Sequence, residues 1–356
     1  MATKNEMKFK RFAAMTGMFG GIKVTCLGLA VLLFANGCRP QSSREVIVYA
    51  ALDREFSEPI LEKFSRDTGT DARGVFDVES TKTVGLVNRL LEERSRPRCD
   101  VFWNNEILHT LRLQNEGVLD AYFSPVAEDI PPSYRSHEGY WTGFAARARV
   151  LLVNREAWGD DPLPDSIHSL TDPRWKGRGG IARPLFGTTA TQAAVLFATW
   201  GEDRAMEFFS RIKENAVILS GNKQVALAVG RGELAFGLTD TDDAIIELEE
   251  GRPVEIIFPD QATDGLGTLY IPNTLAIIKN GPNPEAARQL VDYLLQPEVE
   301  RLLEQGPSAQ FPVRPEWHGE HRITGPQSVQ WMDVDFAAAA ELWPRVAERL
   351  QALLEQ

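Results

Sequence analysis

Three aspartates lie within four residues of one another, at Asp240, Asp242 and Asp243. They follow a predicted strand over residues 234–238 and precede a helical pattern over residues 244–250. Carboxylate oxygens at this spacing could coordinate a hard cation or hold the cationic group of a substrate. Aspartates also cap helices and stabilise their first turns, so one or two of the three could be purely structural. The pattern makes Asp240 and Asp242 candidates for a binding cleft, with helix capping as the alternative.

Threonine hydroxyls at Thr188 and Thr189 precede a second helical pattern, which runs to Trp200. Backbone N–H groups at the start of a helix have no intrahelical partner, and the helix dipole favours negative charge there. The segment could therefore bind phosphate, carbonate or a carboxylate. Arg147 and Arg149 add guanidinium groups, which suit bidentate binding of the same anions. The alternatives are an ordinary N-cap at either threonine and a salt bridge at the arginines.

The sequence contains no motif of a familiar catalytic site. It lacks a Gly-x-Ser-x-Gly elbow, a His-Glu-x-x-His helix and a phosphate-binding Gly-x-x-x-x-Gly-Lys loop. Its five histidines include no pair at metal-ligand spacing on a predicted helix. These observations favour a binding protein over an enzyme and indicate no catalytic cofactor.

The N-terminus is organised like a bacterial export signal. A basic leader that ends at Lys23 precedes an uncharged apolar run over residues 24–35, followed by Gly37 and Cys38. The apolar run is shorter than the roughly 20 residues that a membrane-spanning helix requires, and its flanks suit a signal peptide. The small residue before Cys38 and the polar residues after it resemble a lipoprotein cleavage site, at which the cysteine thiol carries the lipid.

We therefore predict a signal peptide over residues 1–37, a lipidated Cys38 and a linker over residues 38–44. Asn36 and Ala35 depart from the residues that are usual at such a site, and an uncleaved anchor or an ordinary secretion signal is the alternative. Each version places the following domain outside the cytoplasm. With the lipid attached, the protein is a membrane-anchored lipoprotein of the periplasm or cell exterior.

Charge and cysteine content limit the possible partners. The formal net charge is −12, and removal of residues 1–37 leaves 33 basic and 49 acidic residues, a net charge of −16. Such a surface repels phosphate backbones and excludes nucleic acid as a partner. Cys26 leaves with the leader and Cys38 would be lipidated, so Cys99 has no disulfide partner, and its apolar neighbours predict a buried thiol. The remaining 319 residues suffice for two domains that share a cleft.

Strands and helices alternate after residue 44. Short apolar runs predict the strands, and apolar residues at helical spacing predict the helices. Their alternation predicts an α/β fold in which helices cover parallel sheets. The predicted elements include strands over residues 46–51 and 100–103 and helices over residues 57–68, 83–94, 107–116 and 336–354.

The order of several short motifs is similar to that of a known family. The motifs are residues 46–49, 100–106, 141–150, 187–191, 232–238, 272–273 and 310–313, with the helical pattern over residues 284–295. They span most of residues 45–313, and together they resemble the extracellular solute-binding proteins of ABC importers, specifically the ferric-ion-binding branch.

The resemblance implies a two-lobed α/β fold of the periplasmic-binding-protein type 2, with the ligand cleft between the lobes. Crossing strands give each lobe discontinuous sequence. Residues 45–150 with 262–312 are predicted for lobe one, and residues 151–261 with 313–356 for lobe two. Hinge closure then removes the ligand from water. The resemblance also implies a monomer that passes a small-molecule or metal ligand to an ABC permease and ATPase.

Ferric-binding relatives also indicate candidate metal positions. They carry adjacent tyrosines where this chain has Asp242 and Asp243, so phenolate ligation from this segment is impossible. Asp53 stands near a histidine position of the family, and the acidic ligand of the relatives corresponds to Glu106, with Asn105 as the alternative alignment. The resulting set is rich in oxygen and suits Fe³⁺ with a synergistic anion, or another metal ion. The predicted metal ligands are Asp53, Glu106, Asp240 and Asp242.

Relatives of this branch bind an anion at the loop that corresponds to residues 187–191, which favours anion binding by the two threonines over simple capping. Asn222 is similar to a second anion contact of the family, with a turn residue as the alternative. The predicted anion-binding residues are Thr188, Thr189, Asn222 and Arg147. Two functions remain open: a receptor for iron(III) or an iron complex, and a receptor for phosphate, phosphonate or a carboxylate. A lipid-anchored enzyme is the least favoured interpretation.

Overall fold

The computed structural model describes residues 44–76, 83–314 and 329–355. The predicted signal peptide, Cys38 and most of the predicted linker lie outside these residues. Among the helices of the described ranges, none is long and apolar enough to cross a membrane. The elements below all belong to one unit, Ser43–Gln356.

The described residues form ten strands and eleven α-helices. The strands are β1 (Glu45–Ala50), β2 (Asp71–Phe76), β3 (Val101–Asn104), β4 (Leu119–Asp120), β5 (Thr142–Asn154), β6 (Gly179–Ala182), β7 (Val217–Leu219), β8 (Phe236–Asp240), β9 (Val254–Ile257) and β10 (Tyr270–Ile278). The helices are α1 (Arg54–Thr68), α2 (Val84–Glu92), α3 (Leu108–Asn115), α4 (Arg155–Trp158), α5 (Gly187–Trp200), α6 (Glu202–Asn215), α7 (Asn222–Gly230), α8 (Thr241–Glu249), α9 (Pro284–Leu294), α10 (Pro297–Gln305) and α11 (Phe336–Glu355).

Strand β5 is shared by two groups of strands. In the first group, β1 pairs in parallel with β2 and β3, and β10 lies antiparallel between β3 and β5. In the second group, β5 pairs antiparallel with β8, and β6 pairs in parallel with β8 and β7. The continuous order is β2-β1-β3-β10-β5-β8-β6-β7, with β4 beside β10 and β9 beside β5. The predicted parallel α/β organisation is therefore present on both sides of β5.

Strand β5 changes its pairing partner from β10 to β8 between two consecutive residues. Ala148 lies opposite Tyr270 of β10, and the next residue, Arg149, lies opposite Asp240 of β8. All 13 residues of β5 are buried, as expected of a central strand covered on both faces. Arg147 and Arg149 are thus held inside the protein at this junction, where a buried charge requires a partner.

Helix α1 illustrates how the sequence pattern becomes structure. Phe56, Ile60, Leu61 and Phe64 are buried in the same apolar cluster as the side chains of β1. Gly69 ends the helix with a φ of 72°, a left-handed conformation that glycine adopts without strain. The helix predicted over residues 57–68 is confirmed, although it begins three residues earlier, at Arg54.

The C-terminal part of the chain contacts both groups of elements. Helix α11 packs against α5 and α6 and also against α3. Arg314, which is buried, donates hydrogen bonds to Glu300 of α10 at 2.5 Å and to Asp129 at 2.7 Å. Both acceptors belong to the predicted lobe one, so the chain still contacts that lobe at Arg314. The division of the chain into lobes by residue number, with residues 313–356 in lobe two, stays a prediction.

Candidate functional site

A small polar cavity lies where β5 joins the two groups of strands. Its volume is about 40 Å³, more than the roughly 10–15 Å³ that a cavity needs to hold one water molecule. The cavity can therefore hold an ion or a small polar group. The polar side chains in its wall belong to Asp53, Asn105, Arg147, Arg183, Thr188, Ser220, Asn222, Asp240, Asp242 and Asp243.

Strand ends and helix starts place the side chains of the cavity wall. Asp53 follows β1 and is the N-cap residue of α1, and Asn105 directly follows β3. Asp242 and Asp243 lie in the first turn of α8, immediately after β8. Binding residues gather at the carboxyl ends of parallel strands because the following loops meet at one edge. The same topology brings together residues that are distant in sequence.

The three aspartates at the start of α8 form an acidic cluster. Each of Asp240, Asp242 and Asp243 has a carboxylate oxygen within 4.8 Å of one from the others. Asp240 and Asp242 are buried, and Asp243 is partly exposed. Like charges this close disfavour one another, so the site requires nearby positive charge. The predicted convergence of Asp240 and Asp242 is observed, and Asp243 and Asp53 face the same cavity.

Arg147 supplies part of that positive charge. Its Nη1 lies 3.0 Å from Oδ2 of Asp242, and its side chain is only 5% exposed. Burial by itself lowers the pKa of Arg147, but the surrounding carboxylates, Asp242 foremost and then Asp240, outweigh burial and raise the pKa. Its Nε and Nη2 have no hydrogen-bond partner among the described residues. A buried guanidinium with two unmet donors in a cavity wall can bind an anionic or oxygen-rich group.

Arg149 is fully buried and forms the centre of a second network. Its Nη1 donates to Oδ1 of Asp240 at 2.7 Å and to Oδ1 of Asn222 at 3.0 Å. Its Nε donates to Gln192 at 2.9 Å, and its Nη2 donates to Thr189 at 3.3 Å. Strand register explains the central ion pair, because Arg149 and Asp240 lie directly opposite each other in β5 and β8.

The second carboxylate oxygen of Asp240 is also hydrogen-bonded. Thr188 Oγ1 donates to Oδ2 at 2.5 Å, and Asn222 Nδ2 donates to the same oxygen at 2.9 Å. Thr189 Oγ1 donates to Asn222 Oδ1 at 3.0 Å. Of the predicted anion-binding residues, Thr188, Thr189 and Asn222 therefore lie together, but Thr188 and Asn222 donate to the carboxylate of Asp240. Both oxygens of Asp240 are engaged in this network, which does not favour the predicted role of Asp240 as a metal ligand.

Glu106 does not line the cavity. It is fully buried, and its Oε2 accepts hydrogen bonds from the backbone N–H of Leu108 at 2.5 Å and from Thr191 Oγ1 at 2.8 Å. Its Oε1 accepts a hydrogen bond from Asn104 Nδ2 at 2.8 Å. Glu106 thus satisfies the start of α3 instead of facing a ligand. The alternative alignment, Asn105, is the one whose side chain faces the cavity.

Two polar residues of the cavity wall, Arg183 and Ser220, are absent from the sequence-based prediction. Arg183 directly follows β6, and Ser220 directly follows β7. Their positions after parallel strands were the signal that could have identified them. In contrast to these side chains, none of the six tyrosines of the chain, all within the described ranges, lines the cavity.

Sequence comparisons relate the chain to known binding proteins. A family model described as bacterial extracellular solute-binding protein matches residues 109–340. Iron uptake protein A1 of Synechocystis sp. is 25% identical over 285 residues, which cover 77% of this chain and 77% of that protein.

Structural comparisons show the same fold in solved proteins. Iron-bound HitA from Pseudomonas aeruginosa aligns with a TM-score of 0.75 at 22% identity, covering 87% of this chain and 99% of that chain. The periplasmic binding protein AfuA from Actinobacillus pleuropneumoniae, with exogenous fructose-6-phosphate bound, aligns with a TM-score of 0.78 at 22% identity, covering 88% and 99%. The predicted two-lobed periplasmic-binding-protein fold is thereby confirmed.

Proposed function

Because the chain belongs to the bacterial extracellular solute-binding proteins, we propose that it captures iron(III) together with a small anion and delivers the complex to an ABC importer. The prediction of a binding protein and not an enzyme is confirmed by the family and its relatives. The resemblance to the ferric-ion-binding branch is confirmed as well.

The observation that carries the proposal is a single cavity that presents both an acidic cluster and unmet guanidinium donors. Asp53, Asp242 and Asp243 offer carboxylate oxygens, which suit a hard cation. Arg147 offers Nε and Nη2 to an anion that accompanies the cation. A cation alone would leave the guanidinium unsatisfied, and an anion alone would meet the repulsion of the aspartates. A metal ion with a bound anion satisfies both.

Iron in this cavity would be bound through carboxylates and the accompanying anion, without phenolate ligands. Phenolates favour Fe³⁺ strongly, so their replacement by Asp242 and Asp243 is expected to lower selectivity for iron over other hard cations. The proposal therefore includes binding of other small, highly charged ions by the same aspartates.

A second candidate is a phosphorylated or phosphonate solute that also carries hydroxyl or ammonium groups. Arg147 supports it, because the two free donors of its guanidinium match a phosphate edge. Arg183, a further cation in the cavity wall, supports it too. Asp242 and Asp243 would then accept hydrogen bonds from the hydroxyl or ammonium groups. The relative AfuA is described with fructose-6-phosphate bound.

Calorimetric titration of residues 39–356 separates these candidates. Ferric citrate, gallium citrate, metal-free citrate and a sugar phosphate are titrated separately into the apo protein. We expect saturable binding of the metal citrates and weak binding of metal-free citrate. Tight binding of the sugar phosphate in the presence of a chelator would replace the first candidate by the second. Absence of saturable binding for all four solutes would contradict both.

Arg147→Met tests whether the solute carries an anion. Loss of a charge-assisted hydrogen-bonding group is expected to weaken ferric citrate binding by about 10- to 100-fold, equivalent to about 1.5–3 kcal/mol. A cation without an anion would bind equally or more tightly to this variant, because a positive charge has been removed. The matched control is Arg66→Met, an exposed arginine that does not line the cavity and is expected to contribute less than about 1 kcal/mol. Calorimetry on both variants measures the difference.

Anchoring and delivery to an importer complete the proposal. We propose that Cys38, in the part of the chain outside the described residues, carries the lipid that holds the protein at the membrane. Cys38→Ser is expected to release the protein into the soluble fraction and to abolish incorporation of labelled fatty acid, because the hydroxyl cannot form the thioether. Membrane retention of this variant would instead indicate an uncleaved anchor.

A further inference from the structure

We propose that the carboxylate of Asp240 is an internal anion, which occupies the position formed by Thr188, Asn222 and Arg149 and prevents a free anion from binding there. The proposal gives Asp240 a role in specificity in place of metal coordination. Asp240 and Arg147 both line the cavity. The donors around Asp240 are already bonded to its carboxylate, whereas Nε and Nη2 of Arg147 have no partner among the described residues.

The contacts of Asp240 are those that a bound anion would make. One oxygen accepts from the guanidinium of Arg149 at 2.7 Å. The other accepts from the hydroxyl of Thr188 at 2.5 Å and from the amide of Asn222 at 2.9 Å. Hydroxyl, amide and guanidinium donors at the start of a helix are the groups that recognise phosphates and carboxylates. Asp240 is the N-cap residue of α8, yet its side chain makes no capping hydrogen bond there.

Burial makes this carboxylate hard to displace. Arg149 is fully buried and Asp240 is only 2% exposed, so separation of the pair would leave an uncompensated charge in the interior. An anion that is part of the chain and held in place also has a far higher effective concentration than a free one. Free phosphate or carbonate is therefore excluded from this position in the natural sequence.

The expected position of the solute's anion rests on the proposed function. With the position at Arg149 already filled, the anion of the solute must use Arg147, whose Nε and Nη2 have no partner among the described residues. The internal-anion assignment itself does not depend on the identity of the solute. It can be tested on the apo protein without any metal.

The test is anion rescue of Asp240→Ala. Thermal unfolding of the apo variant is measured in formate, with chloride at equal ionic strength as the reference. Formate supplies a free carboxylate in place of the deleted one. The melting temperature of Asp240→Ala is therefore expected to rise by about 2 °C or more for each tenfold increase in formate concentration above the Kd for formate. The wild-type protein is expected to have the same melting temperature in formate and in chloride. No formate-specific rise in the variant, or an equal rise in the natural sequence, would overturn the proposal.

Two further variants identify where formate acts. Arg149→Met combined with Asp240→Ala removes the cation as well, and its response to formate is expected to disappear. Asp100→Ala deletes another fully buried carboxylate, which accepts hydrogen bonds from Ile47 and Asn283 but pairs with no arginine in the described ranges. It is expected to be destabilised without rescue. A formate response in either variant equal to that of Asp240→Ala would contradict the assignment.

Failure of Asp240→Ala to fold in chloride still gives a decisive result. Purification is then repeated in formate. Folded protein is expected in formate only, and unfolded protein in both buffers would count against the internal-anion role. Because no iron or citrate enters these assays, their outcome is independent of the calorimetric test of the proposed function.

Discussion

Asp242→Asn is expected to weaken binding of ferric citrate by about 30-fold or more, because truncation of one partner of a buried charge pair costs about 2–5 kcal/mol at a binding site. The substitution keeps the size of the side chain but removes a carboxylate from the cavity wall. It also leaves Arg147, 3.0 Å away, without its ion-pair partner. Calorimetric titration of the variant with ferric citrate measures the effect.

The loss of ferric citrate binding by Asp242→Asn must be distinguished from a general loss of stability. Asp242→Asn is expected to lower the free energy of unfolding by about 1–3 kcal/mol, because the buried Arg147 loses its ion-pair partner. Combination with Arg147→Met removes both charges and is expected to restore stability but not solute binding. Glu250→Gln, an exposed substitution at the other end of α8, is the control that should change neither property. If the double variant bound ferric citrate with the affinity of the wild-type protein, a role for Asp242 in solute binding would be contradicted.

Arg314→Met is expected to lower the free energy of unfolding by about 3–5 kcal/mol, because it leaves a buried carboxylate unpaired. Arg314 donates to Glu300 at 2.5 Å and to the backbone carbonyl of Leu295 at 2.6 Å. Glu300 is fully buried and also accepts the backbone N–H groups of Ala145, in β5, and Val313. The pair thus connects α10 to the central strand. Urea unfolding measures the decrease in the free energy of unfolding, and the m-value is expected to stay unchanged.

A matched variant distinguishes a buried pair from a surface one. Arg301→Met removes an arginine from α10 whose partner, Glu298, lies at the surface with 48% of its side chain exposed. Such pairs contribute about 0–1 kcal/mol, so this variant is expected to unfold close to the natural midpoint. Equal destabilisation by Arg301→Met and Arg314→Met would contradict the importance assigned to the buried pair.

The fold and part of the site follow from local sequence patterns. Helix α1 can be predicted from the spacing of Ile60, Leu61 and Phe64 and from the terminating Gly69. Asp242 and Asp243 can be placed in a cleft because they follow a strand and start a helix, where loops gather at one sheet edge. Such predictions need only the residues of one strand–helix unit.

The roles of Asp240 and Glu106 could not be read from their neighbours. Asp240 pairs with Arg149 because the register of β5 against β8 places them opposite each other, although 91 residues separate them. Glu106 turns toward the N–H of Leu108 and the hydroxyl of Thr191, and nothing in its own segment distinguishes that direction from the cavity. A carboxylate next to a strand end can bind a ligand or satisfy a helix, and only distant contacts decide which.

The most direct test is a crystal structure of residues 39–356 grown with ferric citrate, with diffraction recorded at the iron absorption edge. The expected result is an anomalous peak between the carboxylates of Asp53, Asp242 and Asp243, with a citrate carboxylate on Nε and Nη2 of Arg147. Iron bound elsewhere on the chain would contradict the account. So would a metal-free cavity that holds a phosphorylated solute on Arg147 instead.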